Sequence, residues 1–185
     1  MTCTRPITAY RTDYVNPETG KRGVTFSASA GFTDKKILLP CGKCQACLAK
    51  RTNEWALRCT HEAQQHEHNC FVTLTYDDDH LPEDRGLHHE DFQKFMKRLR
   101  KARTGQKIRY FMCGEYGGLY DRPHFHALLF GVNFPDMRLF GASGKVRNYI
   151  SIELGNLWPF GFHTIGPVHY GTALVCFLFS FAVLY

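Results

Sequence analysis

The most regular pattern in the chain lies in LHHEDFQKFMKRLRKAR, residues 87–103. Phe92, Phe95, Met96 and Leu99 recur at i, i+3, i+4 and i+7, which predicts a helix with one buried stripe. Glu90 and Asp91 fall at its positive end, and Arg100, Lys101 and Arg103 at its negative end. From about Gln45 to Gln65, the spacing of Leu48, Trp55, Leu57 and Ala63 also fits a helix better than a strand. NCFVTLTYDDD changes character: residues 71–76 are mostly β-branched or aromatic, and an acidic turn stops them, as expected of a central strand. KIRYFMCGEYGG predicts a second strand closed by glycines, and HFHALLFGV a third. TGKRGVTFSASAGF predicts one or two short strands joined by a turn. A further helix is expected near 147–157, then a short strand in FHTIGPV. This succession predicts an α+β fold, an antiparallel sheet with helices packed on it, with residues 1–185 forming one domain.

The stretch TALVCFLFSFAVLY, residues 172–185, runs without a charge. It is too short for a comfortable membrane span. It reads as a buried terminal element, a weak membrane-seeking tail, or a truncated or out-of-frame end; no membrane partner is expected.

Charge adds a direction. The formal net charge is +6, which mildly favours a polyanionic partner. The distribution is more informative. Lys94, Lys97, Arg98, Arg100, Lys101, Arg103, Lys107 and Arg109 follow one another with no acid among them. They form either a solvated helix face or a phosphate-facing patch, with Lys94, Lys97, Arg98 and Lys101 as the candidate DNA contacts. The acidic turn Asp77, Asp78, Asp79 reads as a solvated loop.

The opening MTCTRPITAYRTDY has no apolar core of signal-peptide type, so secretion is not indicated. The eight cysteines are then expected to be thiols or metal ligands rather than disulfides. Cys41, Cys44 and Cys47 form CxxCxxC, within a Cys-rich segment at 41–70. A structural Zn²⁺ needs four ligands, and Cys59 or His61 would complete the set. Ordinary reduced thiols at a helix start are the alternative. Cys176 has nothing around it in the sequence to activate a thiol.

The chemistry concentrates in RPHFHALLFG, residues 122–131. A strand alternates its side chains, so His124 and His126 share a face and Phe125 takes the other. Two imidazoles at that spacing can converge on one ion. Alone, the pair is as well explained by two hydrogen-bonded histidines at a sheet edge. A hairpin between GEYG and this strand would bring Glu115 beside them. Two histidines and one carboxylate leave coordination positions open for substrate oxygens, an arrangement suited to Mg²⁺ or Mn²⁺ on a phosphate.

RPHFHALLFG resembles the His-hydrophobic-His motif of HUH endonucleases, the rolling-circle replication initiators. GEYG resembles the acidic metal-ligand motif of viral Rep proteins, and FVTLTY their first conserved strand. With PCGKCQACLAKRTNEWALR and GFHTIGPV, the set resembles the replication initiator of gokushovirus-type microviruses, over roughly residues 40–168. The resemblance implies a Rep-type palm, a divalent metal at Glu115, His124 and His126, and single-stranded origin DNA as substrate. It implies a tyrosine that attacks the scissile phosphate, leaving a 5′-phosphotyrosyl enzyme and a free 3′-OH, and reversal that rejoins the ends. It also implies the host replication machinery as partner and the cytoplasm of the bacterial host as location. In such proteins the tyrosine is expected near 174–178, where this chain has Leu174, Val175, Cys176, Phe177 and Leu178. Tyr170 and Tyr185 are the nearby candidates. The alternative expectation is a catalytically impaired copy that binds DNA and metal without nicking.

Overall fold

The computed structural model describes residues 2–117, 121–143 and 146–180. The sequence reading takes residues 1–185 as one domain; the contacts divide the chain into two compact units, Met1–Arg51 and Thr52–Tyr185.

The first unit holds a three-stranded antiparallel sheet in the order β2-β1-β3: β1 Ile7–Val15, β2 Arg22–Thr25 and β3 Lys36–Leu39. The strand expected in TGKRGVTFSASAGF is β2; a 3-10 turn at Ala28–Ala30 follows it. Helix α1, Gln45–Ala63, begins in this unit and continues in the second.

The second unit is built on a six-stranded sheet in the order β5-β6-β4-β9-β8-β7. The strands are β4 Asn69–Tyr76, β5 Arg109–Tyr116, β6 Pro123–Phe130, β7 Arg138–Ser143, β8 Val146–Ile150 and β9 Gly161–Gly166. Every pairing is antiparallel. The α+β class with helices on an antiparallel sheet is as the pattern predicts. The helices are α2 His89–Ala102, α3 Ile152–Leu157 and α4 Tyr170–Ser180.

Alternation sorts this sheet into two faces. Val72, Leu74 and Tyr76 of β4 and Phe125, Ala127 and Leu129 of β6 are buried with Phe92, Phe95, Met96 and Leu99, the stripe of α2. Trp158, fully buried, packs edge-on against Tyr76, Phe95 and Phe125. On the other face Leu128 and Phe130 of β6 and Cys113 of β5 are buried with Ala56 and Cys59 of α1 and Ala173 and Cys176 of α4. The apolar tail is thus, as far as Ser180, a helix on the sheet. No helix among the described residues is long and apolar enough to cross a membrane.

The helix expected near 147–157 is corrected. Residues 146–150 form β8, and the helix starts only at Ile152. Asp136 explains the boundary: its carboxylate accepts the Ser151 hydroxyl at 2.6 Å and the Glu153 N–H at 3.0 Å. Ser151 Oγ in turn accepts the Leu154 N–H at 3.0 Å, an N-cap that fixes the first turn. Gly161 holds the entry to β9. Its φ is +143°, and a Cβ there would lie 2.3 Å from the Asp77 nitrogen.

Candidate metal centre and its surroundings

β5 and β6 form a hairpin whose register pairs Glu115 with His124 and Cys113 with His126. Gly117 N–H donates to Arg122 O at 3.0 Å, and Asp121 N–H to Gly117 O at 2.8 Å, closing the hairpin end. β4 lies on the other side of β6 and pairs Thr73 with His126 and Thr75 with His124. All these side chains belong to the face covered by α1 and α4.

His124 Nε2 lies 3.4 Å and His126 Nε2 2.9 Å from the same carboxylate oxygen, Glu115 Oε2. Ligand atoms from the three residues lie within 4.8 Å of one another. Adjacent ligands of an octahedral ion with bonds of ~2.1 Å stand ~3.0 Å apart. The group therefore fits a hard divalent ion. The side chains keep 12 to 18 % of their surface exposed, sheltered yet reachable by a substrate.

The far side of each ring fixes which nitrogen faces the centre. His124 Nδ1 lies 3.0 Å from Arg122 O, which can only accept, so Nδ1 carries the proton and Nε2 the lone pair. His126 Nδ1 lies 2.9 Å from the Thr73 hydroxyl. A ligating histidine typically hands its other N–H to such a partner. Arg122 is itself held, donating from Nη1 to Tyr76 O at 2.9 Å and pairing through Nη2 with Asp78. Phe71 stacks on the His126 ring at 5.3 Å. Burial, with His124 beside it, holds the His126 imidazole below the usual range despite the hydrogen bond with Glu115. It favours the neutral ring, the form that binds metal.

The triad Glu115, His124 and His126 is thus brought together. Thr73, Arg122, Asp78 and Phe71 were not singled out from sequence. Thr73 was findable, since FVTLTY must alternate and a threonine beside a paired histidine is a hydroxyl within reach. Asp78, read as part of a solvated turn, anchors Arg122.

The basic patch lies elsewhere. α2 packs on the opposite face of the sheet from the triad. Lys94, Lys97 and Lys101 are exposed there, with Lys94 paired to Asp91 at 3.2 Å. Arg98 departs from the expected phosphate contact. Its Nε donates to Leu157 O at 2.8 Å, its guanidinium lies over Phe160, and its Nη2 is buried without a hydrogen-bond partner.

The proposed zinc set is corrected at one position. Cys41, Cys44 and Cys47 do cluster, but the fourth thiol is Cys3. Cys59 is buried with Cys113 and Cys176, and burial pushes its thiol up to about 11. Cys3 has no local spacing signal; strand pairing alone places it. The Cys176 thiol is raised by its hydrogen bond with Cys113, then by burial, in keeping with an inert thiol.

Of the two tyrosines, Tyr170 opens α4, exposed, with its hydroxyl donating to Asn53 Oδ1 at 3.1 Å. Tyr185 lies outside the described residues.

The family model for the replication-associated protein ORF2 matches residues 69–178, more than half of the chain. Similar proteins include the replication-associated protein ORF4 of Chlamydia phage 1, 39% identical over 67% of this chain and 33% of that protein. Replication-associated protein VP4 of Bdellovibrio phage phiMH2K is 33% identical over 91% of this chain and 54% of its own length. Replication-associated protein ORF2 of Spiroplasma virus 4 is 36% identical over 73% and 45%. The chain therefore spans a third to about half of the length of these relatives. No solved structure matches. Motifs, fold and matched relatives agree that this chain belongs to the replication-associated protein ORF2 family and is a gokushovirus-type Rep.

Proposed function

We propose that this chain is the nicking module of a phage replication initiator, cutting and rejoining single-stranded origin DNA to start rolling-circle replication in the cytoplasm of the bacterial host. The observation that carries the reading is the convergence of His124 Nε2 and His126 Nε2 on Glu115, with both outer nitrogens oriented by Arg122 O and Thr73. Mg²⁺ or Mn²⁺ held by these three would act as a Lewis acid on the scissile phosphate. The protein's share is orientation: the β5–β6 register sets the ligands, and the Arg122 backbone and Thr73 hold the rings. The neutral imidazoles and single carboxylate leave the centre cationic, able to attract a phosphodiester. In the transfer, a tyrosine oxygen bonds to phosphorus, the P–O3′ bond breaks, and the 3′-oxygen takes up a proton. The free 3′-OH would then serve the host replication machinery.

A second reading, a copy that binds DNA and metal without nicking, is favoured by α4. Ala173 and Cys176 are the α4 residues in the buried cluster with Cys113. Tyr170 precedes Cys176 by six residues, about 120° around the helix and ~9 Å along it. Its hydroxyl is engaged with Asn53, so Tyr170 must leave that contact to attack.

A circular single-stranded microvirus genome, incubated with the protein and Mn²⁺ and run with and without protease, decides between them. Linear DNA carrying protein, lost in Glu115→Gln and in either Tyr170→Phe or Tyr185→Phe, supports the nicking module. Metal binding that His126→Ala abolishes, with the circle left intact, supports the second reading.

A further inference from the structure

We propose that Cys3, Cys41, Cys44 and Cys47 form a tetrathiolate zinc site that holds the N-terminal unit together, separate from the Glu115–His124–His126 centre.

Strand pairing builds the site. Ile7 at the start of β1 pairs with Leu39 at the end of β3. Cys3, four residues before Ile7, and Cys41, two after Leu39, therefore arrive at the same end of the ladder. Gly42 turns the chain back with φ +74°, and Cys44 and Cys47 follow at the first turn of α1.

The sulfur geometry is that of a tetrahedron around one ion. Cys3 Sγ lies 3.6 Å from Cys41 Sγ and 3.8 Å from Cys44 Sγ, and the four sulfurs lie within 4.8 Å of one another. With Zn–S bonds of ~2.3 Å, the edge of a ZnS₄ tetrahedron is ~3.8 Å. These sulfurs are too far apart for a disulfide bond, ~2.05 Å.

The surroundings suit thiolates. Cys41 N–H donates to Cys3 Sγ at 3.4 Å, and Cys44 N–H to Cys41 Sγ at 3.3 Å. Cys44 and Cys47 sit at the positive end of the α1 dipole. Arg5 and Lys43 line a cavity of about 390 Å³ with Thr4, Cys41, Cys44 and Gln45, offsetting the negative charge of four sulfurs on one Zn²⁺.

The unit has need of a staple. Among the described residues up to Arg51, only Ala9 and Ala46 are buried apolar side chains, while Tyr14, Phe26 and Leu38 each expose more than half of their surface. Fifty-one residues with so little burial resemble the small scaffolds that metals or disulfides hold together.

Zinc content per chain and cobalt substitution test the site on the full chain. One zinc per chain is expected, retained in His124→Ala/His126→Ala and in Cys59→Ser, lost in Cys3→Ser and restored in Cys3→His. Cobalt exchanged into the wild type should show the intense visible bands and thiolate charge transfer of a tetrahedral sulfur site. Thiol titration of the unmutated protein should find four more reactive cysteines once a strong chelator is added, a readout independent of whether any variant folds. Zinc unchanged in Cys3→Ser, a Cys3–Cys41 disulfide in the metal-replete protein, bound iron in place of zinc, or no chelator-dependent thiols would each overturn the assignment.

Discussion

Thr73→Val isolates what holds His126 in its metal-binding form. The substitution keeps the β-branched shape that β4 requires and removes the hydroxyl that faces His126 Nδ1 at 2.9 Å. Without that partner the proton on Nδ1 is no longer stabilised. The ring is then drawn to the other tautomer, with Nε2–H donating to Glu115 Oε2 at 2.9 Å, and the lone pair that would bind the ion is taken. Losing one partly buried hydrogen bond costs about 0.5–1.5 kcal/mol of stability. Undoing the second tautomer before metal can bind costs more, in the range that outer partners of metal ligands show, about 10–100-fold in affinity. Calorimetric titration of the protein with Mn²⁺ should show that weakening, with Thr73→Ser returning close to wild type. Thermal unfolding without metal should fall by only a few degrees. If Thr73→Val binds Mn²⁺ as tightly as wild type while His126→Ala does not bind it, the threonine does not set the tautomer and the orienting role assigned to it is wrong.

Replacing Lys97 and Lys101 on α2 with glutamine should lower the salt dependence of single-stranded DNA binding by about 1.4 in the log–log slope, at ~0.7 per phosphate contact. It should leave any nicking at saturating DNA unchanged, because α2 is on the face away from the triad; fluorescence anisotropy across a salt series and the circle assay check the two halves. The metal-free protein should be less stable at pH 5 than at pH 7.5 by urea unfolding. Burial lowers both His126 and His163 below their unfolded values, so the unfolded chain binds more protons, and this share of stability is full above the ordinary histidine pKa and is lost as pH falls through it. Mn²⁺ affinity should fall in the same direction, and a flat pH profile would contradict both. Gly161→Ala should destabilise the protein by several kcal/mol, since its Cβ would overlap the Asp77 backbone and its φ is one that alanine avoids; an unchanged urea midpoint would refute the close approach.

The parts of the fold that were legible in the sequence are those with a single dominant period. The α2 stripe, the β4 run and the β5–β6 pair each show one period over many residues, and their burial follows it. β7 and β8 were missed because their strand character comes from pairing with each other rather than from an apolar face. The boundary of α3 was missed because Asp136, fifteen residues from Ser151, makes the cap. The α1 register was misjudged for a related reason. Leu57 is half exposed while Ala46, Ala56 and Cys59 are buried, so the small side chains mark the inward stripe. At the metal centre, the triad was readable because its three members lie within twelve residues of hairpin. Cys3, Thr73 and Arg122 were not, since each reaches its partner only through sheet register or a loop contact.

The two faces of the six-stranded sheet divide the labour in a way that sequence charge alone would mislead about. The densest run of basic residues suggests where DNA should lie, yet α2 spends Phe92, Phe95, Met96 and Leu99 on one face of the sheet and Arg98 on the Leu157 carbonyl and the Phe160 ring. The triad looks the other way, toward α1 and α4. A strand bound at the triad therefore meets those two helices, not α2. A nucleophile supplied by α4 must project from its sheet-facing side, where Ala173 and Cys176 stand, or be carried past that helix altogether. That makes the position of the attacking group, rather than the quality of the metal centre, the step on which nicking by this chain turns. The Tyr170→Phe and Tyr185→Phe arms of the circle assay address that step directly. Loss of the adduct in Tyr170→Phe alone would require α4 to release Asn53 and turn its first residue toward β5, and Asn53→Ala should then raise the rate of adduct formation rather than lower it.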